Sequence, residues 1–329
     1  MEFSDLARLA SGHTEARIVQ AAVELGIFDA IGGKVIAARA VADTLHLEPR
    51  ATELMLNALA ALDLVRKQQD RFALTDASSR YLIRNSAEYL GGMILFEASH
   101  WRCWERLVEA LRSGKAVRPA NMYQEDSTET EIFIQAMDSL VKARGDAEIV
   151  AQSLDWTDST ELLDIGTGPA TYPIALCRKY PKLHATLFDL PATLTLTRRY
   201  VREAGLGERI QLITGDYRSD AIPGSYDVIF LSNIIHGEDF AANQQLIKKL
   251  SANLNPGGRL VIKDHILDDT RTAPPVGAIF SLLMLLTTEA GRCYGFDEVK
   301  TWLEAAGLKH IRQIDLPPPL TSSLVIAEN

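Results

Sequence analysis

Between Thr14 and about Leu82, apolar residues return every three or four positions through TEARIVQAAVELGIFDAI, AARAVADTLHL and PRATELMLNALAALDLV. That spacing lines one side of a 3.6-residue helix, so three amphipathic helices are predicted, with Pro49 in the first turn of the third. After Val65, polar KQQD followed by RFALT reads as a turn and a short strand, which completes a winged-helix pattern. Residues 90–155 are helical again, in ILFEASHWRCWERLVEAL and TEIFIQAMDSLVKARGDAEIVAQSL, with a polar loop around Arg118–Thr128 between them. Trp101, Trp104, Phe133 and Met137, at helical spacing, are expected in the core.

From Glu161 the rhythm changes. ELLDIG, HATLFDL, RIQLITGD, YDVIFLSNII and GRLVIKDHIL are short apolar runs ending in polar residues, with helical patterns between them. Such alternation predicts a doubly wound parallel sheet with helices on both faces. HIRQIDLPPPLTSSLVIAEN adds two strands joined by a Pro-rich turn. The boundary is placed near Asp155–Thr160, giving an all-α winged-helix-type domain over 1–155 and an α/β domain over 156–329.

Charge and cysteine usage narrow the classes. The chain has 329 residues and a formal charge of −9, which disfavours polyanionic partners and anionic membrane. Residues 1–90 hold ten Lys/Arg against twelve Asp/Glu, and the third helix carries only Arg50, so the winged helix lacks a basic face for nucleic acid. It is expected to serve packing or dimerisation. Cys103, Cys177 and Cys293 are scattered and odd in number, which fits a reducing cytoplasm rather than a disulfide framework. The N-terminus lacks a signal-peptide run, and the longest apolar stretch, Val276–Leu286, is too short to span a bilayer.

The candidate chemistry sits at the predicted strand ends. The first ends in Asp164-Ile165-Gly166-Thr167-Gly168-Pro169-Ala170, a turn in which glycines let backbone approach a ligand. A nicotinamide dinucleotide site would need glycine at the third fingerprint position, where Thr171 stands, and Pro169 and Ala170 crowd the turn. The second strand ends at Asp189 and the third at Asp216. Any one carboxylate alone would be an ordinary cap; three in register along one edge point to a ligand, because open α/β sheets bind at the carboxyl ends of their strands.

LLDIGTGPATYPIAL, FDLP, GDY, IIHGEDF and LNPGGRLVIKDHIL together resemble the class I methyltransferase fold. They are similar in particular to the plant caffeate and bacterial small-molecule O-methyltransferase family, whose members carry an N-terminal winged-helix dimerisation domain. The likeness runs from about Ala16 to Val325. It implies a homodimer that uses S-adenosylmethionine, releases S-adenosylhomocysteine and needs no metal. It places Gly166 and Gly168 by the methionine part of the cofactor, Asp189 with Leu190 at the ribose, and Asp216 and Tyr217 beside the adenine, with Asp164 supporting the loop. Ser232 falls at a cofactor-contacting position where many plant relatives have Lys. His236 matches the general base and Asp264 the carboxylate that orients it; a second family carboxylate is replaced near Cys293. Phe133, Met137, Phe280 and Met284 fall where relatives line an apolar acceptor pocket, which suits an aromatic or polyketide-like molecule.

The chemistry is consistent with those roles. A neutral hydroxyl is a poor nucleophile until its proton leaves, and an imidazole with a pKa near 6.5 can take it near neutrality. Glu238 and Asp239 read as the start of the next helix. His265 follows Asp264, and strand alternation would turn it to the opposite face, away from a shared site. Transfer to carbon or nitrogen, a non-methylating reaction on the same fold, and a DNA-binding regulator stand as the alternatives.

Overall fold

A computed structural model describes residues 1–119 and 126–329, so part of the loop expected around Arg118–Thr128 lies outside the described residues. The chain divides into two compact units, Met1–Trp101 with Gln135–Ala143, and Arg102–Ile134 with Arg144–Asn329. The expected boundary near Asp155–Thr160 falls inside the second unit, because the helix Asp146–Ser153 packs on the helix Thr171–Lys179.

In the first unit, helices Phe3–Leu25, Ile27–Ile31, Ala38–Leu45 and Pro49–Ala61 precede the hairpin of β2 (Val65–Gln68) and β3 (Arg71–Leu74). A two-residue β1 (Ile36–Ala37) joins β3 antiparallel, which completes the expected wing. The first helix starts eleven residues before Thr14 and stops at Gly26, whose φ of 74° turns its N–H back onto the Ala22 and Val23 carbonyls. Glu48 caps the Pro49 helix by accepting the N–H groups of Arg50 (3.0 Å) and Ala51 (2.6 Å). Val23, Phe28, Leu56, Leu59 and Phe72 form the core of this unit. Phe3, Leu6 and Leu9 stay 86%, 58% and 63% exposed, an apolar stripe on the first helix.

The second unit is built on seven strands in the order β6-β5-β4-β7-β8-β10-β9: β4 (Glu161–Ile165), β5 (His184–Asp189), β6 (Ile210–Thr214), β7 (Tyr226–Ser232), β8 (Leu254–Asp264), β9 (Lys309–Asp315) and β10 (Ser323–Glu328). The first five run parallel, and β10 enters antiparallel between β8 and β9. Order reverses at β4, whose neighbours are β5 and β7, and this is the switch point where ligands of such sheets bind. Leu162, Leu163, Val228, Ile229, Leu260 and Val261 are wholly buried, as strands covered on both faces require.

Two expected helices are interrupted. ILFEASHWRCWERLVEAL forms Gly91–Ser99, Trp101–Trp104 and Leu107–Ser113. The second run breaks at Gly145, with φ at 69°, into Ser127–Arg144 and Asp146–Ser153. Trp101, Trp104, Phe133 and Met137 are half-buried rather than wholly buried, whereas Ile134 and Ala136 are buried. Asp146 is buried where the second helix begins, clasped by Arg144 at 2.9 and 2.7 Å and placed 3.4 Å from the buried ammonium of Lys263 on β8. That ion pair ties the helix to the strand that ends in Asp264.

Candidate active site

The turn after β4 takes left-handed backbone at Gly166 (φ 64°), Gly168 (55°) and Ala170 (61°) before the helix Thr171–Lys179 begins. A Cβ on Gly166 would strike Ile234 Cδ1, so this position also needs glycine for close approach. The turn is pinned from β5. Gly166 N–H donates to the Phe188 carbonyl (2.9 Å), Gly168 N–H to Asp189 Oδ2 (2.9 Å), and Leu190 N–H to Asp189 Oδ1 (2.7 Å). Asp164, 2% exposed, accepts the Thr167 hydroxyl at 2.6 Å and supports the turn from beneath.

Burial raises both carboxyls, Asp164 to about 7 and Asp189 to about 6; the N–H groups of Gly168 and Leu190 and the Thr193 hydroxyl partly offset it at Asp189. A carboxylate has roughly four acceptor sites, so Asp189 retains capacity for a diol after holding the loop. These residues fit a nucleoside: a buried carboxylate, an open glycine turn, and both at the switch point.

Farther along the rim the fit is looser. Asp216 lies two residues past β6, and its Oδ1 accepts Arg218 N–H at 2.8 Å, so it caps its own turn. Tyr217 donates its hydroxyl to Glu238 Oε1 (2.8 Å), which also pairs with Arg218 (2.7 Å). Burial, with Glu238 beside it, pushes the Tyr217 phenol well up and keeps it neutral. Glu238 is therefore a rim residue that the sequence reading gave to the next helix. Asp239 does cap that helix, accepting Ala242 N–H at 2.7 Å. Ser232 ends β7 opposite Lys263 and accepts from Asn233 Nδ2 (3.2 Å).

Past β7, the one-turn segment Ile235–Gly237 carries His236. Asn243, buried on the helix Phe240–Ser251, holds this turn by donating Nδ2 to the Ile235 carbonyl at 2.8 Å. His236 Nδ1 lies 2.9 and 3.1 Å from the two oxygens of Asp264, the last residue of β8. A carboxylate only accepts, so Nδ1 carries the proton and Nε2 keeps its lone pair. Burial alone would raise the Asp264 carboxyl, but the His236 ring and the His265 N–H hold it below the usual carboxylate range. Cys293 is a thiol pushed up to about 12 by burial and by the Asp264 charge, so it stays neutral.

The helix Pro275–Thr287 packs against the His236 turn. Its Phe280 ring meets His236 edge-on at 4.8 Å and 89°, and Met284 on the same helix is buried. Phe133 belongs to this unit and is half-buried, whereas Met137 belongs to the other. The expectation that His265 turns away is corrected here. Strand pairing stops at Asp264, the alternation stops with it, and the His265 ring also meets Phe280, at 5.6 Å. Gly291 was missed altogether: a Cβ there would strike the His236 carbonyl oxygen and lie 2.6 Å from Thr288 Oγ1.

This strand order, with carboxylates at successive strand ends, defines a class I methyltransferase, the S-adenosylmethionine-dependent kind. The model of the O-methyltransferase domain matches residues 104–309 and that of the O-methyltransferase dimerisation domain residues 7–84. The chain belongs to the O-methyltransferase family.

Among its relatives is the 3-hydroxy-5-methyl-1-naphthoate 3-O-methyltransferase of Streptomyces sahachiroi, 29% identical over 326 residues, covering 97% of this chain and 93% of that one. The N,N-dimethyltransferase OxyT of Streptomyces rimosus is 29% identical over 274 residues, 81% of this chain and 79% of that one. A crystal structure of human N-acetylserotonin methyltransferase in complex with S-adenosylmethionine shares the fold, with a TM-score of 0.90 at 23% identity over 99% of this chain and 97% of that one.

Proposed function

We propose that this enzyme methylates a hydroxyl on a small aromatic or polyketide-like acceptor, with His236 as the general base and Asp264 as the group that orients it. The observation that carries the reading is the His236 Nδ1 contact to both oxygens of a buried carboxylate, at 2.9 and 3.1 Å. It leaves Nε2 as a lone-pair acceptor beside the aromatic Phe280. S-adenosylmethionine supplies a methyl group on a sulfonium, which leaves as a neutral thioether.

Asp189 binds the ribose diol, Gly166 and Gly168 let the loop approach the cofactor, and Tyr217 and Asp216 border the base. His236 Nε2 takes the hydroxyl proton as the acceptor oxygen becomes the nucleophile, and Asp264 stabilises the imidazolium that forms. Phe280, Met284 and Phe133 supply apolar walls that exclude water, a competitor for the methyl group. Phe3, Leu6 and Leu9 give the dimerisation domain an apolar stripe for a second copy of the chain to cover, which supports a homodimer.

The test is incubation with methyl-labelled S-adenosylmethionine and naphthol or hydroxynaphthoate acceptors. Label on oxygen in the product supports the reading. The relative OxyT gives nitrogen as the second choice of atom, and label on an amine acceptor but on no phenol would establish that instead.

Cofactor binding carries its own pH signature. Ionised Asp189 is the better partner for two hydroxyl donors, and burial lifts its pKa to about 6. S-adenosylhomocysteine binding should weaken by about tenfold per pH unit below that value, as read by calorimetry, and the dependence should flatten in Asp189→Asn. Unfolding through these groups is not the cause. Asp164 and Asp189 have folded-state pKa values above their unfolded ones, so the folded chain binds more protons between about pH 4 and 7, and acidification through that window favours folding.

Gly291→Ala should displace the His236 turn while leaving the nucleoside grip alone. The expected result is a loss of about 10- to 100-fold in kcat, with S-adenosylhomocysteine affinity held within about twofold. Steady-state kinetics and calorimetry on the same preparation check it.

A further inference from the structure

His265 takes no part in the reaction as described, yet it shares two partners with His236. Asp264 Oδ1 accepts the His265 backbone N–H at 2.8 Å while both carboxylate oxygens face His236 Nδ1. Phe280 touches both rings, edge-on to His236 at 4.8 Å and inclined at 61° to His265 at 5.6 Å. The close approach of the Pro275–Thr287 helix makes this possible. A Cβ on Gly277 would lie 3.2 Å from His265 Cβ and 2.9 Å from Leu267 Cδ2.

The tautomer of His265 is fixed by its surroundings. Nδ1 lies 3.2 Å from the Thr321 carbonyl oxygen, a group that only accepts, so Nδ1 carries the hydrogen and Nε2 carries a lone pair. That Nε2 has no hydrogen-bond partner among the described residues, and it is not among the sealed polar atoms. Two imidazoles in contact with one aromatic side chain thus carry the same kind of nitrogen.

What lies behind each ring differs, and this separates their chemistry. His236 is backed by a carboxylate that stabilises its protonated form. His265 is backed by a neutral carbonyl, and burial draws its pKa down, so it remains an uncharged acceptor near neutrality. It can hold a hydroxyl without removing the proton.

We propose that His265 Nε2 accepts a hydrogen bond from a second hydroxyl of the acceptor, making the enzyme selective for dihydroxylated aromatic substrates, one hydroxyl methylated at His236 and the other held at His265. The inference rests on the proposed function, since it takes the ring beside Phe280 to be the acceptor.

The test uses protein saturated with S-adenosylhomocysteine, titrated in a calorimeter at pH 8 with 1-naphthol and with a series of dihydroxynaphthalene isomers. At least one isomer should bind about tenfold more tightly than 1-naphthol, the effect of one hydrogen bond to a buried acceptor. His265→Phe should bind 1-naphthol as the wild type does and lose that gain, while His265→Gln, which keeps an acceptor, should recover part of it. Thermal unfolding of both variants checks that they fold, and the Gln variant carries the comparison if the Phe variant does not.

The proposal is overturned if no isomer gains over 1-naphthol in the wild type, failure to bind included. It is equally overturned if the gain survives in His265→Phe, or if that variant weakens 1-naphthol and the isomers alike. Labelled methyl transfer to any naphthol reports on His236 separately, so a wild type that methylates a naphthol but binds no isomer more tightly than 1-naphthol sinks the role of His265 alone.

Discussion

His236→Ala should keep its affinity for S-adenosylhomocysteine and lose about 10²- to 10⁴-fold in turnover, the range a positioned general base supplies. The two readouts separate because the imidazole stands past β7, whereas the nucleoside grip is assembled from the ends of β4 and β5. Calorimetry and product formation on the same preparation decide it. Turnover within about threefold of the wild type would remove His236 from the role of base and leave alignment alone to explain the rate. A parallel fall in cofactor affinity would place the ring at the cofactor instead.

Asp189→Ala should show the opposite pattern. Two hydrogen bonds to an ionised carboxylate contribute about 1.5 kcal/mol each at the least, so affinity for S-adenosylhomocysteine should fall by about a hundredfold or more. The substitution also releases the Gly168 N–H from its acceptor, so the loss includes ordering of the turn. At saturating cofactor, kcat should recover much of its wild-type value, since the residues around His236 are untouched. Unchanged affinity would show that the ribose is held elsewhere.

The parts of this molecule that could be read in the sequence follow from short-range physics. The strands announce themselves because a sheet covered on both faces needs unbroken apolar runs, and Val228–Leu231 and Leu260–Ile262 are such runs. Asp164 and Asp189 follow because strand ends of a parallel sheet fall along one edge. The pairing of His236 with Asp264, 28 residues apart, could be anticipated from the family likeness, and the adjacency of β7 and β8 brings the two side chains together.

Other features depend on three-dimensional detail that spacing does not encode. Asp216 looks like a ligand-facing carboxylate, but it spends an oxygen on its own turn, a local bond available to any Asp two residues before an amide. Glu238 could be assigned only once Tyr217 and Arg218 were seen to converge on it. Gly291 is one isolated glycine in a loop, and its need arises from the backbone of His236, far away along the chain. His265 was misread because alternation was extended one residue beyond the last paired position of β8.

The Asp189 grip has a consequence for the economy of the reaction. In the proposed role it holds the sugar, which the fresh donor and its demethylated remnant have in common, and the loop it anchors is already tied down through Gly168 and Leu190. Such a clasp cannot tell spent from unspent, so the remnant competes for the same seat after every cycle. Sustained output therefore requires a separate activity that degrades it.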